Sequence, residues 1–175
     1  DVYKRQVLGS GTMGGQIAAH FANLGFDTTM FDTSEEALSK SIAMMKKLKP
    51  TPFASPTVSG LIKTSTYDDL AVISECDFII ESIVENLDIK KKLFKQISPY
   101  VNDNAILVTN TSGLSIQKIA ESAPDDLRSR IFGVHFFNPP RYLPLVELIR
   151  TSYSDESLLI KAEGFITSAL GKEVV

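Results

Sequence analysis

The chain has 175 residues, 43% of them hydrophobic and 22% charged, with a formal net charge of -3. That length suits one globular domain. The absence of a basic excess argues against nucleic acid and anionic membrane surfaces as partners. No apolar run is long enough to span a bilayer, and the single cysteine, Cys76, excludes an internal disulfide and fits a reducing, cytoplasmic setting.

Val7 and Leu8 end a first strand. Residues 1–6 (Asp-Val-Tyr-Lys-Arg-Gln) lack the apolar run expected of a strand buried on both faces, and read as a non-native leader in its place. Thr12 to Leu24 is predicted as a helix with Met13, Ile17, Ala18, Phe21 and Leu24 on one face, ended by Gly25. His20 lies inside it and reads as structural. Asp27 to Phe31 is a short strand stopped by Asp32, and Ser34 opens a helix to about Leu48. Pro50 to Gly60, with three prolines and a glycine, reads as a loop. Strands follow at 62–66, 77–84, 105–109, 131–136 and 145–149, with helices at 87–97, 115–122 and 155–170 and a last strand beginning at Lys172. Cys76 reads as a small buried hydrophobe ahead of a strand. The near-regular alternation of strand and helix predicts an α/β fold, a Rossmann-type doubly wound, mostly parallel sheet with helices on both faces.

Gly9-Ser10-Gly11-Thr12-Met13-Gly14 fits G-x-G-x-x-G between a strand and an amphipathic helix. The first glycine permits the tight turn, the second lets backbone approach a pyrophosphate, and the third lets helix and strand pack closely. The phosphates of a dinucleotide then meet free N–H groups at the positive end of a helix. Asp32, 18 residues beyond Gly14, ends the second strand where a carboxylate accepts from ribose hydroxyls and repels a 2′-phosphate. The expected cofactor is therefore NAD rather than NADP; no metal-ligand spacing occurs. Asp32 also reads as a helix N-cap.

Beyond residue 77 come Glu81-Ser82-Ile83-Val84-Glu85-Asn86-Leu87, then Lys90, Asn110-Thr111-Ser112-Gly113, His135-Phe136-Phe137-Asn138-Pro139 and Leu145-Val146-Glu147-Leu148. With the glycine turn, these resemble the NAD-binding domain of the 3-hydroxyacyl-CoA dehydrogenases of fatty-acid β-oxidation. The resemblance runs from Val7 to Val175 and is strongest to a bacterial branch fused to an enoyl-CoA hydratase. It implies oxidation of (S)-3-hydroxyacyl-CoA to 3-oxoacyl-CoA, with His135 as general base and acid, Glu147 orienting it, and Ser112 bonding the substrate oxygen. It further implies that Glu85, Lys90, Ser112 and Asn138 contact NAD. An imidazole titrating near neutral pH suits proton transfer in both directions. Lys90 to Lys92 also read as a solvated helix face, and Ser112 as a turn residue.

The family's second, helical domain carries much of the substrate cleft and of a homodimer contact. Residues 7–175 are thus read as an NAD-binding Rossmann domain cut short at its C-terminal end, holding NAD but turning over weakly or not at all. The parent is expected to be a homodimer or part of a multifunctional β-oxidation enzyme, with an acyl-CoA substrate. Two other readings stay open: a β-hydroxyacid dehydrogenase that uses a catalytic lysine from a following domain, and a non-catalytic NAD-binding relative.

Overall fold

The computed structural model describes residues 4–175; the first part of the expected leader, residues 1–3, lies outside the described residues. Eight strands form one sheet in the order β3-β2-β1-β4-β5-β6-β7-β8. They are β1 (Lys4–Leu8), β2 (Asp27–Asp32), β3 (Ile62–Thr66), β4 (Phe78–Glu81), β5 (Ile106–Thr109), β6 (Ile131–Phe136), β7 (Leu145–Ile149) and β8 (Glu173–Val174). All neighbours pair in parallel except β6 and β7, which are antiparallel. The first six strands follow the doubly wound order, which reverses between β1 and β4. The helices are α1 (Thr12–Asn23), α2 (Glu35–Met45), α3 (Leu87–Ile97), α4 (Ile116–Ser122), α5 (Asp125–Arg128) and α6 (Glu156–Gly164).

Successive strand residues feed opposite faces, which is why these strands read as continuous apolar runs. Val7, Ile80 and Val108 join one core cluster with Ile17 and Phe21 of α1. Leu8, Ile79 and Leu107 join the other, with Leu93 and Phe94 of α3 and Ile119 of α4. Lys4 to Gln6, expected to lie outside any strand signal, run as the start of β1 and pair with both β2 and β4. Their polar side chains are accommodated individually. The Arg5 guanidinium lies over the rings of Phe26 and Phe165, and Gln6 donates to the Val72 carbonyl at 3.1 Å.

Several boundaries differ from expectation. The 50–60 segment is not all loop, because Pro56–Leu61 winds into a 3-10 helix. The helix at 155–170 gives way after Gly164 to a π-helical turn over Phe165–Ala169, where Phe165 packs against Phe21, Phe26 and Phe78. The strand at 77–84 stops at Glu81; from Ser82 the chain leaves the sheet and runs along its C-terminal edge. Cys76 is buried as expected, and burial pushes its thiol up to about 12. His20 is buried too, and burial followed by the charge of Lys172 pulls it down to about 4.

Candidate active site

The turn after β1 is held closed by the Gly9 N–H, which donates to the Phe31 carbonyl of β2 at 2.9 Å. Gly9 has φ +104°, a left-handed conformation that favours glycine, and a Cβ there would lie 2.6 Å from the Ser82 carbonyl oxygen. At Gly14 a Cβ would lie 2.0 Å from the Gly9 oxygen, so α1 can start against β1 only with glycine there. At Gly11 a Cβ would meet nothing within 4 Å.

The start of α1 has neither a capping side chain nor an acidic residue in its first turn. By contrast α2, α3, α4 and α6 are capped by Ser34, Asn86, Ser115 and Asp155. The first N–H groups of α1 thus carry the positive end of the helix dipole without a protein acceptor from a cap. A phosphate-bearing ligand satisfies this arrangement, and Gly11 leaves room for it.

Two cavities open on either side of this turn, sharing Gly11, Ser82, Ile83 and Val84. One, of about 520 Å³, is lined among others by Gly9, Ser10, Asp32 and Tyr67. The other, of about 530 Å³, includes Met13, Glu85, Lys90, Ser112, His135 and Asn138. Two compartments meeting at an anion-binding turn match the shape of a dinucleotide with its pyrophosphate in the middle.

Asp32 holds the turn itself. Its Oδ2 accepts from the Ser10 N–H at 2.8 Å and from the Ser10 hydroxyl, while Oδ1 accepts from the Thr33 N–H at 2.7 Å. Burial pushes this carboxyl up, but the hydrogen bonds from Ser10 and Thr33 outweigh it and leave it below the ordinary carboxylate range.

In the second cavity, the antiparallel register sets His135 of β6 directly opposite Glu147 of β7. Their side chains meet, His135 Nδ1 to Glu147 Oε2, at 2.6 Å. With Nδ1–H donating to the carboxylate, Nε2 is left as the acceptor. The His135 side chain is 21% exposed and lines the cavity, so the pair is open to a ligand.

Ser112 is tethered: its N–H, its hydroxyl and the Gly113 N–H all donate to Glu85 Oε1, at 3.0, 2.9 and 3.0 Å. The backbone donors Ser112 and Gly113, then the Ser112 hydroxyl, hold the Glu85 carboxyl below its usual range. Asn138 accepts from Gln16 Nε2 of α1 at 3.1 Å, a partner that sequence reasoning did not single out. Asn110 was also missed; its Oδ1 accepts the Phe136 N–H at 2.9 Å. Lys90 is not on the solvated face of α3. It is buried and pairs with Glu81 at 2.6 Å, while also lining the second cavity.

Residues 4–175 match the family described as "3-hydroxyacyl-CoA dehydrogenase, NAD binding domain". The chain belongs to this family. A "probable 3-hydroxyacyl-CoA dehydrogenase" of Bacillus subtilis is 38% identical over 99% of the chain, which spans 25% of that relative. A "fatty acid oxidation complex subunit alpha" of Psychrobacter cryohalolentis is 36% identical over 91% of the chain, which spans 23% of it. Among solved structures, (S)-3-hydroxybutyryl-CoA dehydrogenase of Ralstonia eutropha superposes with a TM-score of 0.85 at 32% identity, over 100% of this chain and 63% of that one. The chain therefore spans about a quarter of the first relatives' length. Membership in this family makes NAD the cofactor of the domain, in agreement with the open helix end and the glycine cradle. Among the described residues, no helix is long and apolar enough to cross a membrane and no cluster could hold a metal ion.

Proposed function

We propose that this 3-hydroxyacyl-CoA dehydrogenase domain acts in the oxidation of (S)-3-hydroxyacyl-CoA to 3-oxoacyl-CoA, a step of fatty-acid β-oxidation. The observation that carries the reading is His135, paired with Glu147 and set in the wall of the cavity that also holds Ser112 and borders the glycine turn. Removing two electrons from a secondary alcohol requires a base for the hydroxyl proton. His135 Nε2 takes that proton, and Glu147, accepting from Nδ1–H, fixes the tautomer and ring orientation. Ser112 bonds the substrate oxygen. NAD, when bound, supplies the electron acceptor. The first-turn amides of α1 from Thr12 to Gly14 hold its phosphates, Asp32 takes the ribose hydroxyls and excludes a 2′-phosphate, and Glu85, Lys90 and Asn138 flank it in the second cavity.

The pair also weighs against a lysine-based β-hydroxyacid dehydrogenase, which has no need of it, and against a non-catalytic relative. We take the parent to be a cytoplasmic bacterial homodimer or a multifunctional β-oxidation protein, in which a second domain completes the acyl-CoA cleft, so residues 7–175 alone bind NAD but turn over weakly. The test is acetoacetyl-CoA-dependent NADH oxidation by the full-length protein and by His135→Gln. The variant is expected to lose about a thousandfold in kcat with NADH affinity unchanged. Wild-type rates in the variant, or no turnover of any 3-hydroxyacyl-CoA by the parent, refute the reading.

A further inference from the structure

Glu81, the last residue of β4, is 0% exposed, and its partner Lys90 is 1% exposed. Buried ion pairs gain little stability over apolar residues of the same size, because desolvation offsets their attraction. Stability alone therefore gives no reason for a carboxylate at this point, and its other contacts supply one. Oε1 accepts from the Ile83 N–H at 2.7 Å as well as from Lys90, and Oε2 accepts from the Thr109 hydroxyl at 2.6 Å. With the Thr109 proton committed, the Thr111 hydroxyl donates back to Thr109 Oγ1, 2.7 Å away. The Glu81 carbonyl accepts the Asn110 N–H at 2.8 Å.

One residue thus holds both segments that leave the sheet beside the His135 cavity. Ile83, Val84 and Glu85 on one side and Asn110, Thr111 and Ser112 on the other line that cavity, whereas Glu81 and Thr109 line neither cavity. What the segments carry is the site: Glu85 tethers Ser112, and Asn110 receives the N–H of Phe136, the neighbour of His135. The turn at Gly9 to Gly11 hangs instead from Asp32 and Phe31.

We propose that Glu81, acting through Thr109 and Ile83, is a positioning residue that sets Ser112 and His135 relative to each other. The kinetic part of this rests on the oxidation proposed above; the structural part does not. Thr109→Val in the full-length protein keeps the side-chain shape and removes the donor to Oε2, Thr109→Ser keeps the hydroxyl, and Glu81→Gln removes the charge. Thr109→Val is expected to lower kcat about tenfold or more, with NADH dissociation constants within about threefold of wild type, and Thr109→Ser to restore it. Amide hydrogen exchange at Ser112 and Gly113 should quicken about tenfold in Thr109→Val while Gly9 to Gly14 stay as protected as before. Glu81→Gln should lower kcat at least as far as Thr109→Val.

Unchanged exchange at Ser112 and Gly113 overturns the proposal whatever the substrate. So does unchanged kcat in a folded Thr109→Val variant, or parallel loss of melting temperature and NADH binding with full kcat per bound NADH, which marks a merely structural role. If wild type turns over no 3-hydroxyacyl-CoA, the proposed oxidation fails and the exchange measurement alone decides for or against Glu81.

Discussion

Gly11→Ala and Gly14→Ala place the same methyl group three residues apart and should fail in different ways. At Gly14 the added Cβ lies 2.0 Å from the Gly9 carbonyl oxygen, and ordinary contact begins at 3.4 Å, so the start of α1 must retreat by about 1.4 Å. The helix packs through Ile17, Ala18 and Phe21, all fully buried, and cannot move without disturbing them. Overpacking of this kind costs about 1–3 kcal/mol, which for a domain of this size lowers the melting temperature by about 2–12 °C. At Gly11 the backbone has φ -63°, open to any residue, and the methyl meets no protein atom within 4 Å. Alanine loses something as an N-cap but reduces the freedom of the unfolded chain, and the two effects offset to within about 0.5 kcal/mol. Yet Gly11 lines both cavities and is the N-cap of α1, whose first amides have no capping side chain. Hydrogen bonds to a charged group are worth about 1.5–3 kcal/mol, so keeping a phosphate from these amides should weaken NADH binding about tenfold to a hundredfold. Thermal melts with and without NADH, together with fluorescence titration, separate the two variants. Gly11→Ala binding NADH as tightly as wild type would refute the assignment of this turn to the pyrophosphate.

Other outcomes follow from single residues. Glu147→Gln replaces the acceptor of the His135 Nδ1–H by an amide that can present the wrong group; kcat should fall about a hundredfold or more with NADH affinity intact, and a pH–rate profile of unchanged height would contradict the orienting role. Cys76, buried with its thiol pushed up to about 12, should resist iodoacetamide at pH 8 in the folded protein and react once urea unfolds it. His20 sits at about 4 when folded against an ordinary 6.5, so the unfolded chain binds the extra proton between those values. Its share of stability is intact above pH 6.5 and is lost as pH falls toward 4, by about 3 kcal/mol in all. His20→Leu should flatten that part of the urea-melt pH profile, and an unchanged slope would remove His20 as its source.

The parts of the fold with a repeating signal were legible. α1 and β2, β6 and β7 lie within a residue or so of where periodicity and Gly25, Asp32 and Pro139 put them, because burial on one stripe or on both faces dictates those patterns. The 3-10 helix at Pro56–Leu61 and the four-residue α5 were not legible, since one or two turns are too short to show a period. The pairing of His135 with Glu147 came from resemblance and was consistent with a return strand; its register is a property of the sheet. Of the two readings of Lys90, a cofactor contact and a solvated helix face, the second fails, because it took charge to mean solvent. The correcting signal lay in the spacing: Leu87, Lys90, Leu93, Phe94 and Ile97 fall three or four apart, so the lysine shares the apolar face of α3 and requires a buried partner. Nothing in the sequence names Glu81 as that partner, because its position at the end of β4 also fits a strand terminus at the surface.

The site has two differently built walls. His135 and Glu147 stand on adjacent, directly paired strands, the kind of support that holds a side chain most narrowly. Ser112 stands on a loop whose hold is the exposed carboxylate of Glu85. That carboxylate is depressed by its donors, so its contribution is complete above the ordinary carboxylate range and disappears as pH falls through its folded value. Acid should therefore loosen the serine wall, while the strand pairing that sets His135 opposite Glu147 has no such dependence. The hydroxyl proton of Ser112 is given to Glu85. In the oxidation proposed above the substrate's own hydroxyl proton goes to His135 Nε2, so Ser112 can meet the substrate oxygen only as a donor, and its proton must leave Glu85 to do so. The tether of this loop and the proposed bond to substrate therefore compete for one proton.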